Sequence, residues 1–211
     1  MTSQRQHQSK IKLLDAALRV IRITGYVGTT VDDICHQAGV TKGSFFHHFK
    51  SKDELAVEAI EYWEGKTEEF FAHASYHEAN DPLQRLLGYL DLRASISTGE
   101  LYECNCLLGT LIQETYATQP HILAACDRAM TTRTNEVTRE IEAAKKHYAS
   151  CASWSAESVS DLIQSVLQGS FILAKMKHSP AIVRESLAHL RDYLIALFDQ
   201  PTGTRKIDDR H

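Results

Sequence analysis

Between Thr30 and Leu55 the chain reads TVDDICHQAGVTKGSFFHHFKSKDEL, and three helix starts crowd into that stretch. The Thr30 hydroxyl can accept the Asp33 amide, with Asp33 an acid near the positive helix end. Thr41 opens a second short helix, and Ser51 followed by Glu54 is a capping box for a longer one. Between the first two, Gly39 permits a sharp turn, because glycine carries no Cβ penalty there. Two short helices joined by Ala-Gly-Val fit a helix-turn-helix, in which Ile34 and Ala38 pack the first across the second. The second then offers its N-terminal face to a DNA major groove.

The rest of the sequence is also helical in period, and no strict alternation persists over a strand length. Ile11, Leu14, Leu18 and Ile21 form one stripe over about 10–23, stopped by Gly25. Asp81-Pro82 starts a helix, Pro120 a long one, Ser155 another and Ser179-Pro180 the last. A further segment spans about 104–116. The expectation is an all-α chain of about nine helices. Residues 1–52 form a three-helix helix-turn-helix domain, 53–200 a larger helical body, and 201–211 a frayed tail.

Charge divides the same way. Residues 1–52 hold eight Lys/Arg against three Asp, whereas the whole 211-residue chain has net charge −4. A basic end on an acidic body suits a polyanion-binding module. Thr41, Lys42 and Ser44 are the outward candidates for base edges, and Gly43 allows close backbone approach. His47, His48, Lys50 and Lys52 suit phosphates, while Phe45 and Phe49 read as core. No apolar run approaches the ~20 residues needed to cross a bilayer. The start MTSQRQHQSK has no apolar segment behind it, so the expected location is the cytoplasm, with no membrane partner. Five cysteines without an export signal argue against a disulfide scaffold.

GYVGTTVDDICHQAGVTKGSFFHHFKSKDEL resembles the DNA-binding signature of the TetR family of bacterial transcriptional repressors. The resemblance implies a DNA reader at the N-terminus and a ligand-binding, dimerising body behind it. It implies that Thr30 touches a phosphate, that Thr41, Lys42, Gly43 and Ser44 lie in the groove, and that His47 and Lys52 grip the backbone. Where the family usually has tyrosine, this chain has Phe46, which lacks the hydroxyl that commonly donates to a phosphate. The expected partners are a palindromic double-stranded operator, a second copy of the chain, and an unknown small-molecule or electrophilic effector. No cofactor is expected.

In the body, Leu162, Val166, Gly169 and Leu173 share one helix face, and Leu187, Leu190 and Leu194 another; both read as dimer contacts, with part of each stripe packing inside the chain's own core. An effector pocket is expected among the middle helices, with Tyr62, Trp63, Tyr89, Tyr102 and Tyr116 as aromatic candidates. The segment YECNCLLGTLIQE resembles a helix in a subgroup of these regulators with Cys-Leu-Leu-Gly, in some of which the matching cysteine responds to electrophiles or oxidants. Cys106 matches it, in the first turn of a helix starting near Cys104, and helix N-termini favour thiolate. Packing against Leu107 and Leu111 is the competing role. Cys104-x-Cys106 with His121 lacks a second finger-like pair, so no metal site is expected. The leading function is a non-enzymatic repressor released by a ligand or redox signal; the alternative is a helical enzyme using Cys106 as nucleophile.

Overall fold

The computed structural model describes the backbone of residues 2–199 and side chains from residue 6 onward. Among the described residues nine α-helices run in order: α1 Thr2–Thr24, α2 Val31–Ala38, α3 Lys42–His48, α4 Lys52–Ala72, α5 Pro82–Ser95, α6 Leu107–Thr115, α7 Pro120–Tyr148, α8 Ala156–Met176 and α9 Ala181–Phe198. A single 3-10 turn, Ser75–Glu78, precedes α5, and no strand occurs among the described residues. The tail expected over 201–211 lies outside the described residues. No described helix is long and apolar enough to cross a membrane.

Local chemistry sets most of the boundaries. Thr30 and Asp33 cap α2 reciprocally: Thr30 Oγ1 accepts the Asp33 amide at 3.2 Å, and Asp33 Oδ2 accepts the Thr30 amide at 2.9 Å. The Thr30 hydroxyl, which donates to Asp33 Oδ2 at 2.6 Å, and then the Thr30 amide hold the Asp33 carboxyl below its ordinary range. Thr41 and Ser51 cap α3 and α4 through the Ser44 and Glu54 amides. Gly39 closes α2 at φ 65°, in the left-handed region. α1 begins earlier than the apolar stripe suggested, because its first turns are polar and carry no periodic signal.

Two apolar cores stack end to end. The first joins Leu14, Leu18 and Ile21 of α1, Ile34 of α2, Phe45 of α3 and Leu55 of α4 to Leu107 and Leu111 of α6 and Ile122 of α7. The second holds Leu86 and Leu90 of α5, Ile141 of α7, Ile163 and Leu167 of α8, and Leu187 and Leu194 of α9. Half-buried Cys106 packs against both. The core under the DNA reader is therefore completed by three helices of the body, α4, α6 and α7.

Candidate functional site

The short α3 is held by one face. Phe45 is fully buried, and its ring meets Phe49 at 5.7 Å between centroids. Thr41, Lys42, Gly43, Phe46, His47 and Lys50 are exposed, and Ser44 is half-buried. Lys42 Nζ lies 2.9 Å from Asp32 of α2, both side chains open to solvent. Phe46, the departure from the family pattern, is 57 % exposed and stands among these polar groups. His48 Nε2 lies 2.6 Å from Ser9 Oγ of α1; burial, then His47 and Lys10, push its pKa down.

Lys52 has a role that its sequence position did not suggest. Its Nζ donates to the carbonyls of Tyr26 and Thr29 at 2.9 and 2.8 Å and sits 4.2 Å from the Tyr26 ring centroid. It ties the α1–α2 loop to the start of α4. The Tyr26 hydroxyl donates to Asp53 alongside, and burial together with that carboxylate pushes the phenol pKa up. A long cationic side chain can turn back onto nearby carbonyls as readily as outward, so position alone does not assign it to phosphates.

A cavity of ≈ 400 Å³ opens between α4, α5, α6, α7 and α8. Trp63, Phe70, Phe71 and Phe171 line it, with Cys106, Arg93, Arg133, Gln164 and Gln168. Of the residues expected there, Trp63 and Cys106 are in place. Tyr89 lies instead beside a neighbouring cavity of ≈ 450 Å³ that shares Phe71 and Arg133 with the first; its buried hydroxyl has no hydrogen-bond partner. Tyr62 donates to Asp15 of α1 at 3.0 Å, Tyr102 lies under the guanidinium groups of Arg19 and Arg22, and Tyr116 is exposed. These three correct the sequence expectation: their polar rims found partners near α1 or water rather than the cavity. Arg93, Arg133 and the two glutamines had gone unnoticed. Arg93 alone left a trace, as a basic residue just beyond the leucine stripe of the fifth helix.

α6 starts one residue later than Cys106, which is its N-cap rather than a first-turn residue. Cys106 Sγ accepts the Gly109 amide at 3.4 Å. Gly109 leaves room for Gln168 of α8, whose side chain a Cβ would strike. Asn105 bridges back to the reader, donating to the Arg22 carbonyl of α1 at 3.3 Å and to Thr110 at 3.0 Å. At the other end of α6, Glu114 Oε2 accepts the Val27 amide in the α1–α2 loop at 2.7 Å. Gly25 makes that contact possible: its φ is +81°, and a Cβ would collide with the Glu114 carboxylate. Helix α6 thus touches the cavity at its start and the reader at both ends.

Burial raises the pKa of Cys35 and Cys104, and pushes Cys126 up to about 12. Cys151 is exposed. Among the described residues no group of three His, Cys, Asp or Glu is placed to hold a metal ion. Of the expected dimer residues, Leu187, Leu190 and Leu194 are 1 %, 4 % and 0 % exposed within the single chain. They fill its own second core, which corrects their reading as contact residues. Leu162, Val166 and Gly169 are half-buried and Leu173 is exposed.

Two family models match the chain. Residues 13–59 match "Bacterial regulatory proteins, tetR family", and residues 82–189 match "Transcriptional regulator LmrA/YxaF-like, C-terminal domain". The chain belongs to the TetR family. It is accordingly a DNA-binding transcriptional regulator with a ligand-binding C-terminal domain, and TetR regulators are not enzymes, which removes the alternative of a nucleophilic Cys106 in catalysis. Among TetR relatives, the HTH-type transcriptional regulator LmrA of Bacillus subtilis is 26% identical over 168 residues, 79% of this chain and 86% of that protein. The uncharacterized HTH-type regulator YxaF of the same organism is 35% identical over 88 residues, 41% of this chain and 46% of YxaF. A TetR-family regulator from Agrobacterium tumefaciens shares the fold at TM-score 0.77 and 17% identity, over 89% of this chain and 98% of that one.

Proposed function

We propose that the protein is a homodimeric repressor, released from a palindromic operator when a small molecule enters the cavity behind α6. The observation that carries this reading is the α6 helix itself, with Cys106 at the cavity and Glu114 on the α1–α2 loop. A helix of that length is a rigid rod of ~13 Å, so displacement of its start is passed to its end. The reader is residues 1–52, with Thr41, Lys42, Gly43 and Ser44 in the groove and Thr30, His47 and Lys52 toward the backbone. The body is residues 53–200. Dimerisation uses the outer faces of α8 and α9. Leu162, Val166 and Leu173 lie there beside exposed Ile172 and Met176, and Gly169 faces open space. Tyr193 and Ile195 are exposed on α9. Small and apolar residues on one open face suit the close approach of a second copy.

A titration of DNA from upstream of the protein's own gene tests the reader. Lys42→Ala is expected to weaken specific binding by about tenfold, with little change for unrelated DNA. Lys52→Ala is expected to weaken binding to all sequences alike and to lower the melting temperature, since it also unties the Tyr26 and Thr29 carbonyls. Unchanged affinity in both variants would sink the placement of the reader.

A second reading, with the same architecture, has Cys106 sense an electrophile. It is favoured by a thiol that lines the cavity and accepts a backbone amide at a helix start. Alkylation there would add bulk at the N-cap of α6. Cys106→Ser is expected to bind operator normally and to ignore N-ethylmaleimide, which should release the wild type. A serine variant that still releases DNA on alkylation rules this reading out.

A further inference from the structure

The cavity holds a cation without a counter-ion. Arg93 reaches it from α5, and its guanidinium carbon lies 5.7 Å from the Phe71 ring centroid and 6.0 Å from that of Phe171. Ring faces attract a guanidinium but offer no lone pair, so they leave its in-plane N–H donors unused. No acceptor among the described residues hydrogen-bonds to that guanidinium or ion-pairs with it. The neighbouring charges are accounted for differently. Arg133 Nη1 donates to Glu136 at 2.7 Å, and Lys66 pairs with Asp15 at 2.9 Å. Glu103 accepts the Tyr102 hydroxyl at 3.2 Å and the Glu100 amide at 3.0 Å. Glu64 and Glu68 also line the cavity, from α4, where Glu68 is exposed.

A half-buried guanidinium without an acceptor is an unfavourable arrangement, and a planar carboxylate relieves it through two parallel hydrogen bonds. The side-chain amides of Gln164 and Gln168 are likewise without a hydrogen-bond partner among the described residues, and supply neutral donors and acceptors beside it. The apolar part of the wall is Trp63, Phe70, Phe71 and Phe171 with Ile96, Leu108 and Met130, and ≈ 400 Å³ accommodates a body of about two fused rings. We infer that the cavity binds an organic carboxylate, its acid group on Arg93 and its apolar body against Trp63, Phe71 and Phe171. This inference rests on the reading of the cavity as the effector site and names the class of effector.

Calorimetric titration of the intact protein with 2-naphthoate, cinnamate and octanoate, each beside its neutral carboxamide, tests it. At least one acid is expected to bind about tenfold or more tightly than its amide. Arg93→Gln should abolish that preference without weakening the amide, and Arg93→Lys should keep part of it. Melting curves establish that both variants are folded, and the lysine variant decides if the glutamine variant is not. Equal affinity for acid and amide, a preference that survives in Arg93→Gln, or no binding of any acid overturns the inference. Labelled operator in the same titrations separates the two claims. An acid that binds through Arg93 yet leaves the operator bound refutes the effector reading and not the carboxylate site. Neutral amides that release the operator as well as acids do refute the carboxylate site and not the effector reading.

Discussion

Phe45→Ala is expected to cost about 3–5 kcal/mol of stability and to abolish operator binding, while Phe46→Ala next to it changes stability by only about 0.5 kcal/mol. The two rings are adjacent in sequence and nearly opposite in environment: Phe45 is fully buried, and Phe46 is 57 % exposed. Removing Phe45 leaves a cavity where α3 meets α1, α2 and α4, and a seven-residue helix has no other anchor of comparable size. Phe46→Ala should instead lower operator affinity with an unchanged melting temperature, because its exposed ring stands on the face of α3 that we propose meets DNA. Melting curves and gel shifts on both variants check the pair. Equal melting temperatures for the two would contradict the packing of α3.

Glu114→Ala is expected to leave operator affinity within a few-fold of wild type and to remove the response to whatever occupies the cavity. The carboxylate spans from α6 to the Val27 amide, and its loss cuts the contact through which we propose that movement of α6 reaches the α1–α2 loop. Coupling between two sites is typically worth ~1–3 kcal/mol, so the wild-type shift in operator affinity should be about 5–150-fold and the variant's close to none. Glu114→Gln, which keeps an acceptor for the amide, should retain most of the response. A full response in the alanine variant would place the coupling elsewhere, with the Asn105 bridge to Arg22 the next contact to cut.

The reader was largely legible because its signals are local. Thr30, Thr41 and Ser51 cap helices through amides three residues away, and Gly39 turns the chain within a single residue, so each reading needed only a short window. The cavity was not, because it exists only where five helices meet. From sequence, Phe71 and Phe171 are core aromatics like any others, and Gln164 and Gln168 are polar residues on a mostly apolar helix. Aromatic candidates chosen by type therefore missed: Tyr62 and Tyr102 turned toward α1, and Tyr116 toward solvent. The leucine stripe of α9 misled for a related reason. A stripe at helical spacing looks the same whether it faces its own chain or a second copy, and here α8 and α5 cover it.

The shared core beneath the reader bears on how such proteins are recombined. Leu55, Leu107, Leu111 and Ile122 come from the body, yet they pack with Leu14, Ile34 and Phe45. A graft that moved residues 1–52 onto the body of a relative would carry half of a hydrophobic interface and leave the other half behind. The transplantable unit is the reader together with the first turns of α4, the inner face of α6 and the first turn of α7. Chimeras cut at residue 52 should therefore succeed only when the recipient presents side chains of matching volume at positions 55, 107, 111 and 122.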